Sequence, residues 1–176
     1  RHEFLFCFYP AVLHTWATNS EVEIDVVDDH HAVVILPGEK KLKTAVSVKE
    51  NHHSLDCQAF IIRHPDENHL SFATYLLRKN LELSLTAFAL DHLGDVYLRA
   101  AIPREAVTED LIDRLMGEFL TVADSSFNEL LVRGFMTSMK KEWEWRVSRG
   151  ESTRNLEAFR KILDPDAKKN NDHMSE

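Results

Sequence analysis

Four runs between Val22 and Arg63 alternate apolar and polar residues, and only short polar turns separate them. Val22, Ile24 and Val26 mark the first run, with Asp28-Asp29-His30 as its turn. Ala32 to Leu36 is the second, closed by Pro37-Gly38. Leu42, Thr44, Val46 and Val48 share one face of the third, and Glu50 to His53 turns it. Leu55, Cys57, Ala59 and Ile61 alternate in the fourth. A period of two means strand, with alternate side chains on opposite faces. Parallel neighbours need a crossover of a dozen or more residues, so strands spaced this closely form an antiparallel meander.

Helical spacing surrounds this meander. Val12, Leu13 and Trp16 predict a helix before it, stopped at Asn19-Ser20. After it, His64-Pro65-Asp66-Glu67 opens a helix, since proline and acids suit a first turn. Leu70, Phe72, Ala73, Leu76 and Leu77 give that helix its buried face, and Asn80 ends it. Leu83–Leu90 and Val96–Ala101 read as strands around a loop in which Gly94 takes positive φ. Asp91 and Asp95 accept backbone hydrogens there. Thr108 then caps a long helical region with Leu111, Ile112, Leu115, Met116, Phe119, Val122, Phe127, Leu130 and Leu131 inward. Phe127 is expected in the core, with Asn128 bonding locally. Asp124-Ser125-Ser126 reads as a break and Gly134 as a bend. Trp143 packs on the sheet, and Ser152 or Thr153 caps a last helix with Leu156, Phe159 and Ile162. The order predicts an α+β fold, one antiparallel sheet covered by helices. Residues 1–163 are expected to be a single domain, and 164–176, polar and unpatterned, a disordered tail.

With 44% apolar residues in 176 and a formal charge of −8, the chain is foldable and offers no overall attraction to nucleic acid or anionic membrane. The charge is uneven: Arg133 to Lys161 holds eight basic residues against four acidic ones. Cys7 and Cys57 do not make a disulfide framework, and a reducing, cytoplasmic setting follows. Phe4 to Tyr9 is apolar, but six residues before Pro10 cannot span a bilayer, and they lack the plan of a signal peptide.

The basic stretch carries the binding candidates: Lys140, Lys141, Trp145, Arg146, Arg149 and Arg154. Aromatics beside arginines suit stacked bases, an anion or a protein partner. They equally suit internal cation–π contacts. Glu142 with Arg146, Glu151 with Asn155, and Glu157 with Lys161 stand four apart. Gly38 to Thr44 has a phosphate-loop look, but Leu42 sits where glycine is required, so a charged hairpin turn is expected. The ten histidines form no metal motif, and the carboxylates and serines name no convergent catalytic set. No catalytic residue, metal or cofactor is expected.

A set of segments resembles the actinobacterial branch of the YbjN-domain family: Leu36-Pro37-Gly38, His64 to Asn68, Arg78-Lys79-Asn80, Phe88 to Leu98, Phe127-Asn128, Gly134-Phe135, and Glu142-Trp143 on to Phe159. Together they cover about Leu36 to Leu163, and the first thirty residues carry little of the likeness. Asp91, Gly94, Asp95, Phe127, Asn128, Trp143, Glu151 and Asn155 fall inside these motifs. The resemblance implies a fold like the small type III secretion chaperones, often paired as dimers, and a family labelled as sensory or transduction regulators. It carries over no metal ligand or catalytic residue. The leading functional expectation is a cytoplasmic, non-enzymatic, chaperone-like adaptor that forms a homodimer and binds a polypeptide. The alternative is a regulatory nucleic-acid or anion binder using Arg133 and the basic stretch.

Overall fold

The computed structural model describes residues 8–164. The expectations placed on Phe4–Phe6, on Cys7 and on the tail from Pro165 lie outside the described residues. The elements run α1 (Phe8–Asn19), β1 (Glu23–Asp28), β2 (His31–Pro37), β3 (Lys43–Glu50), β4 (Ser54–Ile62), α2 (His69–Asn80), β5 (Ala87–Leu90), β6 (Val96–Pro103), α3 (Glu109–Arg149) and α4 (Arg160–Leu163). Short 3-10 turns occupy Arg104–Ala106 and Arg154–Phe159.

All six strands join one antiparallel sheet in the order β1-β2-β3-β4-β6-β5. The first four are the predicted meander. β6 lies against β4, and β5 forms the far edge. One face is buried: Ala32, Val34 and Leu36; Thr44, Val46 and Val48; Leu55, Cys57, Ala59 and Ile61; Val96, Leu98, Ala100 and Ile102. Leu42, counted with the third strand's inner face, lies before β3 and is exposed, because the β2–β3 turn extends through it.

α1 and α3 lie over the buried face. Trp16 and Leu13 reach into the core from α1, and the Trp16 indole N–H donates to Asp113 at 2.9 Å. Thr108 caps α3 as expected, accepting from the Leu111 N–H at 3.1 Å. From there Leu111, Ile112, Leu115, Met116, Phe119, Val122, Ala123 and Leu130 are buried. Each such large apolar side chain removed from water contributes about 1.5–3 kcal/mol.

Three helical expectations need correction. Asp124-Ser125-Ser126 is no break: α3 runs through it, with Ser126 buried and Asp124 turned to the β2–β3 turn. α2 begins at His69, not at His64, because residues 64–68 form a loop held elsewhere, with Asn68 at φ 55°. On α2 only Phe72 and Leu76 are buried, whereas Leu70 and Leu77 are 83% and 69% exposed. The second predicted hairpin is shorter on its first strand, since Leu83 to Thr86 lie in a connection in which the Leu85 and Thr86 N–H groups go to Glu118 and not to a strand.

Candidate functional site

α3 is bent at Phe135, whose φ of −138° departs from the helix. Gly134 sits at the bend because a Cβ there would lie 2.8 Å from Pro65 Cβ and 2.9 Å from the Phe72 ring. The loop 63–68 uses the backbone groups that the bend frees. The Gly134 carbonyl accepts from the N–H groups of Asp66 and Glu67 at 2.9 and 3.2 Å. The Asn68 side-chain amide donates to the Arg133 carbonyl. Glu67 accepts from the Thr137 N–H at 2.7 Å and its hydroxyl at 2.8 Å, as a cap would. Asp66 accepts from the Ser138 hydroxyl and pairs with Arg63 at 2.7 Å. Arg63, then Ser138, hold the Asp66 carboxyl down at about 2. The Thr137 N–H and hydroxyl likewise lower Glu67.

Beyond the bend the chain builds its own small core of Met139, Trp143, Phe159 and Leu163, with Leu131, Val132, Met136 and Leu156 packed on it. Trp143 therefore packs here and not on the sheet: the bend carries it to the smaller cluster. The joint after α3 is a glycine stop. Gly150 has φ 66°, its N–H reaches the Val147 carbonyl, and the Glu151 N–H reaches the Arg146 carbonyl. Glu151 thus stands outside a helix while Asn155 lies in the 3-10 turn, so the two do not form a pair on one helix. Neither Ser152 nor Thr153 opens a regular α-helix there: Ser152 Oγ accepts from Arg154 N at 3.3 Å, and a 3-10 turn precedes the four residues of α4. Ile162 is 48% exposed, not inward.

The binding candidates divide within this arm. Arg146 is engaged internally, by Glu142 and by the Ser152 carbonyl at 2.8 Å. Arg149 lies over the Trp145 ring at 5.0 Å. Arg133 is paired with Glu129 and stacks on Tyr75. Glu157 pairs with Arg160, not with Lys161. Lys140, Lys141 and Arg154 are exposed, so the six candidates do not form one cationic face free of internal partners.

The carboxylates of the β5–β6 turn hold backbone. Asp91 accepts from the N–H groups of Leu93 and Asp95, both at 2.9 Å, around Gly94 at φ 84°. Asp95 accepts from the His64 N–H at 2.8 Å, which lowers its pKa and ties this turn to the loop before α2. Asp124 does the same for the β2–β3 turn: one oxygen accepts from the N–H groups of Glu39, Lys40 and Lys41 at 2.7–3.0 Å. Those are groups that a phosphate loop would offer an anion, here satisfied from within. Phe127 is half-buried against the core beneath Lys41, and Asn128 is half-buried too. Among the described residues no three His, Cys, Asp or Glu side chains group to hold a metal, and no helix is long and apolar enough to cross a membrane.

The two sheet edges differ. At β5, Asn80 acts as a substitute strand: its carbonyl accepts from the Phe88 N–H at 2.7 Å and its amide donates to the Phe88 carbonyl at 3.1 Å. Glu118 takes the next N–H groups, those of Thr86 and Leu85. Burial opposes its ionisation, but these bonds outweigh that and its pKa is lowered. At β1, among the described residues, a strand lies on one side only. Glu23, Asp25 and Asp28 are exposed along β1, as are Val26 and Val27, each 58% open. Sequence reasoning found Asn80 only as a helix end and missed Glu118, Asp124 and Glu67, since polar residues among helical apolar ones carry no mark of distant backbone partners. The open β1 edge had a signal in its dense acids.

Residues 9–132 match the YbjN family model, described as "Putative bacterial sensory transduction regulator". That span takes in α1 and β1, the part in which the residue motifs were sparse, and ends just before the bend of α3. The chain is 45% identical over 132 residues to an uncharacterised protein of Mycobacterium leprae (strain TN), covering 75% of this chain and 72% of that protein. It is 46% identical over 127 residues to an uncharacterised protein of Mycobacterium tuberculosis (strain ATCC 25618 / H37Rv), covering 72% and 69%. In fold it is similar to a chain of the HopA1–SchA chaperone–effector complex, with TM-score 0.52 and 20% identity over 69% of this chain and 94% of that one. The α+β architecture and its secretion-chaperone likeness stand as expected. On the family match and the mycobacterial relatives together, the chain belongs to the YbjN family.

Proposed function

We propose that the chain is a non-enzymatic cytoplasmic adaptor that holds an extended polypeptide along β1, and that its working unit is a pair of copies. The observation that carries this reading is the contrast between the sheet edges: on β5 Asn80 takes up the outer N–H and carbonyl of Phe88, while β1 has an outer side without a strand among the described residues. An open edge binds a chain through main-chain hydrogen bonds, and alternate side chains give selectivity. Like charges on an edge also keep identical copies from stacking there. Glu23 and Asp25 lie opposite Ile35 and Val33, on the sheet face away from the core, while Ile24 and Val26 follow the core side. The guest that fits places basic residues beside the acids and apolar residues beside Ile24 and Val26. The similar fold was solved in a chaperone–effector complex, which supports a polypeptide partner. Asp91 and Asp95 are occupied with loop backbone, which supports a structural role for both.

The test is binding of a labelled peptide of alternating lysine and valine to the full chain, followed by fluorescence anisotropy at low salt. Saturable binding is expected, with a glutamate–valine peptide failing to bind. The double substitution Glu23→Lys, Asp25→Lys should reverse the preference. Binding of neither peptide, or equal binding of both to both proteins, contradicts the reading.

A further inference from the structure

Arginines of α3 and of the segment after it are matched by carboxylates one turn away: Arg133 by Glu129, Arg146 by Glu142 and, past the glycine stop, Arg160 by Glu157. Lys140, Lys141 and Arg149 depart from this pattern. All three are exposed, and among the described residues none of them forms an ion pair. Lys141, Trp145 and Arg149 stand at intervals of four, so they form one row along the helix, about 12 Å long by the rise of a helix. Met139 and Trp143 face the small core instead. Glu144, one turn from both Lys140 and Lys141, is exposed too and confines the positive row to Lys141, Trp145 and Arg149.

Trp145 is 46% exposed, and the Arg149 guanidinium lies 5.0 Å from its ring centroid. Cations in a last turn suit the helix dipole. An open tryptophan between two of them adds nothing to that, nor to the small core, of which Trp145 is not a member. Tryptophan and arginine are the residue types most enriched among the anchors of protein–protein contacts, and a guanidinium fork matches a carboxylate. Arg149 is already set on the ring, so it loses less freedom when a partner engages it. Nucleic acid fits less well. The formal charge of −8 repels a polyanion as a whole, and Arg149 covers one face of the ring on which a base would stack.

We propose that this row is a docking surface for an acidic helix of a partner protein, one that presents carboxylate, apolar side chain and carboxylate at intervals of four. The carboxylates meet Lys141 and Arg149, and the apolar residue lies on the Trp145 ring. The surface is independent of the β1 reading and opposite in sign, since β1 carries Glu23, Asp25 and Asp28. The arm leaves the body at the bend, beside the loop that Asp95 ties to the β5–β6 turn, whereas β1 is the other edge of the sheet. Two docking surfaces of opposite charge let one chain hold a basic guest and an acidic partner without exchange between them.

The experiment is fluorescence anisotropy of a labelled, alanine-based helical peptide with glutamate, leucine and glutamate at intervals of four, titrated with the full chain at low salt. Saturable binding is expected. Trp145→Ala should weaken it at least fivefold, and Lys141→Glu together with Arg149→Glu at least tenfold. Glu23→Ala with Asp25→Ala should leave it unchanged, which separates this surface from β1. All the substituted positions are exposed, and circular dichroism checks that each variant keeps the fold. Absence of binding, or binding that either change in the row leaves untouched, overturns the proposal. So does tighter binding of a labelled single-stranded oligonucleotide or of anionic lipid vesicles that is lost in the same variants, which would assign the row to nucleic acid or to a membrane surface.

Discussion

Several single side chains in this protein replace a missing stretch of secondary structure. Asp124 gathers three consecutive N–H groups of the β2–β3 turn on one oxygen. Asp124→Ala leaves them to water or unpaired, and a loss of about 1–3 kcal/mol is expected, read from urea unfolding. Gly134 is constrained differently. Its φ is not the issue; a methyl group would press on Pro65 and the Phe72 ring at under 3 Å. Gly134→Ala is expected to cost about 1–3 kcal/mol through overpacking, and an equilibrium unfolding midpoint equal to wild type would contradict that.

At the scale of elements, the bend of α3 joins the main core to the smaller one, and the loop before α2 holds it. Asp66 and Glu67 both have pKa values lowered in the fold. A carboxyl so lowered adds stability above its unfolded value of about 3.9–4.3, and the contribution is lost as pH falls toward the folded value. For Asp66 that window runs from about pH 4 down to about 2. Amide protection across residues 136–149, measured against the intrinsic exchange rate at each pH, should therefore fall over this range before that of the sheet. Asp66→Asn should be loosened already at neutral pH, with a flatter profile; identical profiles would contradict the latch. Much of the fold was legible at this scale. The meander strands show a period of two because one face of each is buried, and Thr108 announces α3 by its cap. α2 misleads because it is apolar on two sides: periodicity says that Leu70 and Leu77 recur, not which partner covers them. Asp124-Ser125-Ser126 misleads the other way, since its polar residues are satisfied by the sheet's turn and by packing, which local composition does not reveal. Of the candidate site, the Glu142–Arg146 pair was legible from its four-residue spacing and an internal cation–π contact from the aromatics beside arginines, while which arginine lies over Trp145 depends on side-chain geometry.

For the whole molecule, surfaces of different kinds lie on one frame: an acidic sheet edge at β1, a β5 edge occupied at Phe88 by Asn80, and exposed leucines on α2. The α+β layer positions them. The basic arm beyond the family match contributes its own small core. Trp145→Ala should change stability by less than about 0.5 kcal/mol, as usual for a surface substitution, and thermal melting would check it. The most direct test of the adaptor reading is hydrogen–deuterium exchange of the full chain with and without the lysine–valine peptide. Slowed exchange in Glu23–Asp28, with Ala87–Leu90 unchanged, is the result predicted by strand addition at β1. Protection at β5 instead, or none at β1 while the peptide is bound, would contradict it.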